Sequence, residues 1–275
     1  MPRPGFSRPD LLAVLSCVAF LAVIVCVLGA GPSPTRMEIP GFSNLRTIAH
    51  AAGGYQLDFQ GHLPLAPIWR QRGVGPSFPG QNATAWCGWT FGGKNTSSYW
   101  ATSVGGIFDV EAADRPLNAY VYPGRNFYAP APPARLPAND PARATTQADV
   151  FRHPSDTTTR QRNWPQQTAS ISCYNDVGTS YMLNGLWVTP LQQQYTFTNA
   201  YLNGMNRIAS GQGVTPSRFV WCADQYAEIV IGGMNVPNDV GEANTSLMLF
   251  LDGHAANTTV TPGQANTPSY QFQLE

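Results

Sequence analysis

The sequence has little charge and no surplus of either sign. Charged residues make up 12% of the 275 residues, and sixteen basic side chains balance sixteen acidic ones. A protein that binds nucleic acid needs a basic surplus on at least one face, because it must neutralise phosphates. The sequence contains no basic run, and Lys94 is its only lysine. We therefore predict no nucleic-acid partner.

Cysteine is scarce as well, and its spacing matches no zinc site. Two of the five cysteines, Cys17 and Cys26, lie in an apolar run near the N-terminus. The other three, Cys87, Cys173 and Cys222, can form one disulfide in an oxidising compartment, in any of three pairings. We predict no cofactor from this set of residues.

What the sequence does contain is an uncharged apolar run over residues 11–31. As a helix, a run of this length spans roughly 31 Å, close to the thickness of the hydrocarbon core of a bilayer. Arg3 and Arg8 precede it, so the positive-inside rule places the N-terminus in the cytoplasm. The run predicts a single transmembrane helix followed by an extracytoplasmic domain. A secretory signal cleaved after Gly29 is the alternative, although the run exceeds the usual length of such signals.

Residues 5–12, Gly-Phe-Ser-Arg-Pro-Asp-Leu-Leu, resemble the prepilin cleavage and methylation signal. The resemblance implies that a prepilin peptidase cuts between Gly5 and Phe6 and that Phe6 becomes N-methylated. It also implies that Asp10, at the acidic fifth position, pairs with the new amino group of a neighbouring subunit in a filament. A charge in a low-dielectric setting needs such a partner. The family usually has Glu at this position, one methylene longer than Asp.

Further segments resemble the pseudopilin branch that carries a processing-associated His-x9-Asp-Gly domain. In chain order they are residues 42–48, 61–64, 114–120, 150–156, 178–184 and 252–254. The chain departs from the pattern at His153, which stands in place of a cysteine, and at Glu242, which stands in place of the named histidine. The family is structural and has no catalytic residues to carry over. The resemblance therefore implies that this chain is not an enzyme.

Beyond the apolar run, the sequence predicts one helix and then short strands with long loops. Leu45, Ile48 and Ala52 belong to an i, i+3, i+4, i+7 pattern, which indicates a helix over about residues 43–60. Short apolar segments separated by Gly, Pro, Asn and Asp follow, which is typical of antiparallel strands. We assign strands to residues 119–122, 180–188, 218–222, 227–231 and 247–251, and a hairpin turn to residues 251–254.

The predicted fold class is α+β, with an N-terminal transmembrane helix and a pilin-like globular domain that has a mainly antiparallel β-sheet and long loops. The predicted organisation is a prepilin leader over residues 1–5, a transmembrane helix over residues 6–31 and an extracytoplasmic domain over residues 32–275. No internal repeat is present.

A cysteine hydrolase is the sharpest enzymatic alternative. Gln81 and Cys87 have the spacing of a glutamine and nucleophile pair, and His254 or His153 would be the base. The glycines that follow Cys87 are poor helix formers and do not fit the helix that such a nucleophile begins. The preferred interpretation is a strand-and-turn segment with a disulfide or a buried thiol.

Two binding functions are weaker alternatives. Asp239, Glu242 and Asp252 lie near the C-terminus, and loop carboxylates of this kind are ligands for calcium. Aromatic side chains are concentrated in one segment, where exposed rings would stack on sugars. They are Trp86, Trp89, Tyr99 and Trp100. Burial of these rings in the core is the more economical interpretation.

Taken together, the sequence predicts a pilin-like structural subunit of a type II secretion or type IV pilus-like filament at the inner membrane. The predicted partners are the prepilin peptidase, other pilin-like subunits that pack through the N-terminal helix, and the inner-membrane assembly machinery. The alternative is a membrane-tethered extracytoplasmic module that binds glycans or cell-wall polymer and does not polymerise.

Overall fold

The computed structural model describes residues 34–64, 87–106, 108–127, 136–168, 170–195 and 197–275. The chain divides into two compact units, Met1–Glu38 and Ile39–Glu275. The first unit lies almost wholly outside the described residues.

Helices in the described residues are mostly short. They are α1 (Pro34–Asp58), α2 (Ser98–Thr102), α3 (Asn118–Val121), α4 (Ala142–Thr145), α5 (Cys173–Val177), α6 (Val188–Leu191), α7 (Phe197–Ala209) and α8 (Tyr226–Ile231). Single turns of 3₁₀ helix are present at Ser103–Gly106, Ala112–Asp114 and Asp149–Phe151. Long irregular segments therefore separate the helices, as the many glycines and prolines of the sequence favour.

The strands form two antiparallel sheets. They are β1 (Thr159–Asn163), β2 (Gln166–Thr168), β3 (Tyr181–Leu183), β4 (Val220–Asp224), β5 (Thr245–Phe250) and β6 (Ala255–Thr259). β1 and β2 make a separate hairpin, whereas the other four form a sheet in the order β3-β4-β5-β6. The β5–β6 turn contains Asp252 and Gly253, and Gly253 has φ of 88°, which glycine adopts without strain.

The four-stranded sheet is covered on both faces. Successive side chains of a strand point to opposite faces. On one face, Leu183 and Leu249 belong to the same buried cluster as Leu45 and Ile48 of α1. On the other face, Met248 packs in a cluster with residues of α8. The sheet thus lies between α1 and α8, and both sides exclude water.

Several sequence-based assignments need correction. Strands are predicted over residues 119–122 and 227–231, but residues 119–121 fall in α3 and residues 227–231 in α8. Of the strand predicted over residues 180–188, only Tyr181–Leu183 is strand. Short apolar runs do not distinguish a strand from a buried helix by periodicity. The long helix begins at Pro34 rather than near residue 43, and it contains Pro40. The hairpin turn over residues 251–254 is confirmed.

The predicted fold class is wrong in its membrane element. The protein is α+β with antiparallel sheets, but within the described ranges no helix combines the length and the apolar character needed to cross a bilayer. The helix predicted over residues 6–31 lies outside the described residues. The longest described helix, α1, is amphipathic in its second half, because it packs on the sheet and carries polar side chains opposite.

Two helical glycines give a test of this packing. A Cβ on Gly204 would overlap the ring of Trp187, whereas a Cβ on Gly53 would meet no atom within 4 Å. We expect Gly204→Ala to lower the free energy of unfolding by about 1–2 kcal/mol, because overpacking outweighs the better helix propensity of alanine. Gly53→Ala, the matched control, should raise it by about 0.5–1 kcal/mol. Urea unfolding measures both, and a stabilised Gly204→Ala protein would contradict the packing described.

Candidate functional site

Two of the segments that carry the family resemblance, residues 150–156 and 178–184, meet where β3 begins and α5 starts. The His153 N–H donates to Ser180 Oγ at 2.9 Å, and the Ser180 hydroxyl donates to Asp156 Oδ2 at 2.5 Å. Asp156 also accepts the backbone N–H groups of Cys173 and Tyr174, at 2.8 and 2.7 Å. These N–H groups lie in the first turn of α5 and have no partner within the helix. The Asp156 carboxylate therefore fixes the start of α5.

A serine–histidine contact lies in the same segment. Ser155 Oγ is 2.6 Å from His153 Nδ1. The other edge of the imidazole, at Nε2, lies against Gly41 of α1, where a Cβ would overlap it. Burial lowers the pKa of His153 to about 4, so the ring is neutral at pH 7. Ser155 is only 8% exposed. The pair therefore lacks an accessible hydroxyl and a base that gains a proton near neutral pH.

The contacts of this histidine segment join it to α1. Asn44 Nδ2 donates to the backbone carbonyl of Arg152 at 2.7 Å. Leu45, on the next position of the helix, is fully buried. Together with the Gly41 contact, this makes residues 150–156 a docking platform for the middle of α1.

In a second segment of the resemblance, residues 114–120, polar side chains also hydrogen-bond to the protein's own backbone. The buried Arg115 guanidinium donates to the carbonyls of Trp89, Gly92 (2.8 Å) and Val177 (2.6 Å). Burial lowers the pKa of Arg115 to about 10, which leaves it charged at pH 7. Asn118 accepts from the Gly93 N–H at 2.8 Å and donates to the Gly93 carbonyl at 2.7 Å.

The third such side chain, Asn184, follows β3. Its Nδ2 donates to the carbonyls of Val220 (2.7 Å) and Phe272 (3.0 Å), and its Oδ1 accepts the Leu186 N–H at 2.9 Å. It thus fastens the chain after β3 to β4 and to the C-terminal segment. All three motif segments use their polar side chains to bind backbone groups.

Sequence reasoning missed the buried ion pairs beside this framework. Asp109 receives both Nη atoms of Arg143, at 2.7 and 2.8 Å. Asp176, fully buried, receives Arg162 Nε at 2.7 Å and Trp100 Nε1 at 3.0 Å. The sequence contains one signal for these pairs. The chain has few charged residues, and a charge within an apolar segment needs a partner.

The residues of the hydrolase hypothesis do not form a catalytic site. Burial raises the pKa of the Cys87 thiol well above its usual value, whereas a cysteine nucleophile must be a thiolate. His153 is bound to Ser155, as described above. His254 Nδ1 is hydrogen-bonded to Asp252 Oδ1 at 2.6 Å, and the His254 ring stacks on Phe250. Gln81 lies outside the described residues.

The three cysteines after the apolar run are free thiols in this structure. Cys87, Cys173 and Cys222 are all buried. Burial raises the pKa of each well above its usual value. The disulfide allowed by the sequence is therefore not formed here.

Each of the three carboxylates considered as calcium ligands is hydrogen-bonded to a different neighbour. Asp239 Oδ1 accepts the hydroxyls of Thr157 and Thr158, both at 3.0 Å. Glu242 Oε2 accepts from Asn257 Nδ2 at 3.3 Å. Asp252, in the β5–β6 turn, binds His254. Across the part of the chain that the structure describes, no group of three or more His, Cys, Asp or Glu side chains could hold a metal ion.

Most of the described aromatic candidates for sugar binding are buried. Trp89 and Trp100 are 7% and 5% exposed, and their ring centroids lie 5.3 Å apart. Tyr99 is more exposed, but the Arg162 guanidinium lies 4.5 Å from its ring centroid. Trp86 lies outside the described residues. The two tryptophans cannot stack on a glycan without unfolding this region.

The processing residues Gly5 and Phe6, and the charge-pairing residue Asp10, lie outside the described residues as well. Compared with known proteins, the chain matches no family model, and no curated protein or solved structure is significantly similar to it.

The buried imidazole gives a pH test of the docking platform. The pKa of His153 is about 4 in the folded protein against 6.5 for an unperturbed histidine. As the pH falls, the unfolded chain therefore binds a proton at this histidine at a higher pH than the folded chain does. Stability should therefore fall as pH decreases from about 7 to 4, by on the order of 2–3 kcal/mol from this group.

Urea unfolding at pH 7 and pH 4.5 measures this contribution. His153→Gln, which keeps an acceptor for Ser155, should lose less stability between the two pH values than the wild type. His50→Gln, a change at an exposed histidine of α1, should keep the wild-type difference. An identical loss in wild type and His153→Gln would refute the assignment.

Proposed function

We propose that this chain is a structural, pilin-like subunit that a prepilin peptidase cuts after Gly5. In this proposal it assembles outside the cytoplasm with other subunits of its class, in a type II secretion or type IV pilus-like filament. Phe6 carries the methylated amino group, and Asp10 pairs with that group on a neighbouring subunit.

One observation carries the proposal. The resemblance consists of an N-terminal processing signal and a series of segments in a fixed order, and the polar residues of those segments form the framework of the fold. Arg115, Asn118 and Asn184 bind backbone groups, and Asp156 fixes the start of α5. A framework role is what a structural family requires of its shared residues, whereas shared catalytic residues would face a cleft.

The exposed face of α1 supports contact with another subunit. Ile39 and Leu57 are 64% and 88% exposed. They are five helical turns apart and so lie on one face of the helix. Gly53 lies one turn before Leu57, and a Cβ there would meet no atom within 4 Å. A glycine inside a helix costs about 1 kcal/mol relative to alanine, and the subunit's own packing does not require it. Close approach of a second chain would require a glycine at this position.

Processing is tested on the protein isolated from its native host. Mass spectrometry of the N-terminal peptide should find a chain that begins at Phe6 with one added methyl group. Gly5→Leu should leave the precursor uncut, because the peptidase requires a small residue before the cleaved bond. A mature chain that begins at Met1 or at Ala30 would exclude prepilin processing.

Assembly through α1 is tested with Gly53→Leu. A Cβ at this position meets no atom within 4 Å and leucine is the better helix former, so the urea unfolding midpoint should stay at or above the wild-type value. Cross-linking between subunits in the host should fall several-fold, because the added side chain separates the packed helices. Gln192→Leu adds an exposed leucine after α6 and serves as the control. Equal cross-linking in Gly53→Leu and Gln192→Leu would remove α1 from the interface.

A further inference from the structure

The central sheet separates Cys222 from the other two buried cysteines. Cys222 lies in β4 opposite Leu183 of β3. Both side chains belong to the cluster that packs against α1. Met182, the neighbour of Leu183 in the strand, points to the opposite face and belongs to a different cluster. A bond from Cys222 to a cysteine beside Met182 would have to pass through the sheet.

Cys87 and Cys173 both belong to the cluster on the Met182 side of the sheet. They share a small buried cluster whose other members are Trp89, Trp100, Val110, Val177 and Met182. Of the three disulfide pairings that the sequence permits, this is the one whose members share a cluster. The arrangement therefore selects one pairing.

The backbone around the two cysteines is already joined. Gly88, next to Cys87, accepts the Leu183 N–H at 2.8 Å. Farther along the same segment, the Lys94 N–H donates to the Gly178 carbonyl at 2.9 Å and the Ser97 N–H donates to the Asp176 carbonyl at 2.8 Å. Residues 87–97 thus run along α5 and β3, and Cys173 is the first residue of α5.

We propose that Cys87 and Cys173 form a disulfide when the chain folds in an oxidising compartment, and that Cys222 stays a thiol. The oxidant is an external disulfide, either of a small thiol or of a dithiol protein. The thiolate of one cysteine attacks the external disulfide and displaces one of its thiols. The second cysteine then attacks the mixed disulfide and displaces the other thiol. The chain loses two hydrogens as protons with two electrons, and the external disulfide is reduced to two thiols.

The bond must form before this region closes. Both sulfur atoms are buried in the folded protein, where the thiol form is favoured and an external disulfide has no access. Oxidation during folding therefore succeeds, whereas oxidation of the completed thiol form is slow. The inference concerns the folded part alone, and it stands whether or not the chain assembles into a filament.

The test uses the full-length chain with Cys17→Ala and Cys26→Ala, so that three thiols remain. The reduced protein is unfolded in urea and refolded with glutathione and glutathione disulfide. We expect a mass lower by about 2 Da than that of the reduced chain. Peptide mapping should find Cys87 linked to Cys173, and iodoacetamide should label Cys222 alone after unfolding. The oxidised form should unfold at higher urea than the reduced form, because the bond closes a long loop.

Two further variants separate the outcomes. Cys222→Ala should keep the loss of mass on refolding, and Cys173→Ala should abolish it. A disulfide that includes Cys222, a stable glutathione adduct, or three alkylated thiols after refolding would each overturn the proposal. Since the peptide map is made on the parent chain, the test does not depend on the folding of either variant.

Discussion

The fold depends on buried polar side chains that satisfy the backbone of its irregular segments. A buried N–H or C=O without a partner costs about 1–3 kcal/mol, and regular helices and strands are the usual remedy. In the described residues between the end of α1 and β3, the helices and strands are few and short, so side chains satisfy many of the backbone groups. Arg115 alone binds three carbonyls, two before α2 and one at the end of α5. Removing it would leave all three unpaired in an apolar setting.

This constraint explains why a sequence with few charges places several of them inside. Arg143 is held by Asp109, and Asp176 collects donors from Arg162, Trp100 and other side chains. In these two clusters the charges are paired and also hydrogen-bonded, which is the condition under which a buried ion is tolerated. The serine, histidine and aspartate of residues 150–156 also have partners inside the fold: Ser155 binds His153, the His153 ring lies against Gly41, and Asp156 binds the start of α5. They resemble catalytic residues in type, yet each is occupied in joining α1, β3 and α5.

Local sequence signals predicted the parts of the fold in which one pattern dominates. The apolar positions of α1 from Leu45 onward, the Asp-Gly turn after β5 and the segments around β3, β4 and β5 follow directly from spacing and turn chemistry. The strand predicted for the α8 segment, Ala-Glu-Ile-Val-Ile, is wrong because a short apolar run suits a strand as well as a helix. The segment is buried as a helix in one cluster with residues of β5, and such a tertiary contact is not encoded in the local pattern.

The candidate site was predictable in its segments but not in its role. The family resemblance singled out residues 114–120 and 150–156, whereas only the contacts show that side chains in these segments bind backbone groups. The pairing of the three cysteines was likewise open, because sequence spacing does not say which face of a sheet a residue occupies. In β3 and β4 the one-residue difference between Met182 and Leu183 decides it.

Two helical glycines differ in whether the chain's own packing explains them. Gly204 is explained from within, since the ring of Trp187 occupies the space of a side chain. Gly53 has the same helical cost and no internal neighbour to account for it. Exposed Ile39 and Leu57 on the same helix are also left without a role in the subunit's core. Under the proposed assembly, Gly53 would allow close approach of a second chain, and Ile39 and Leu57 would lie on the same face of α1.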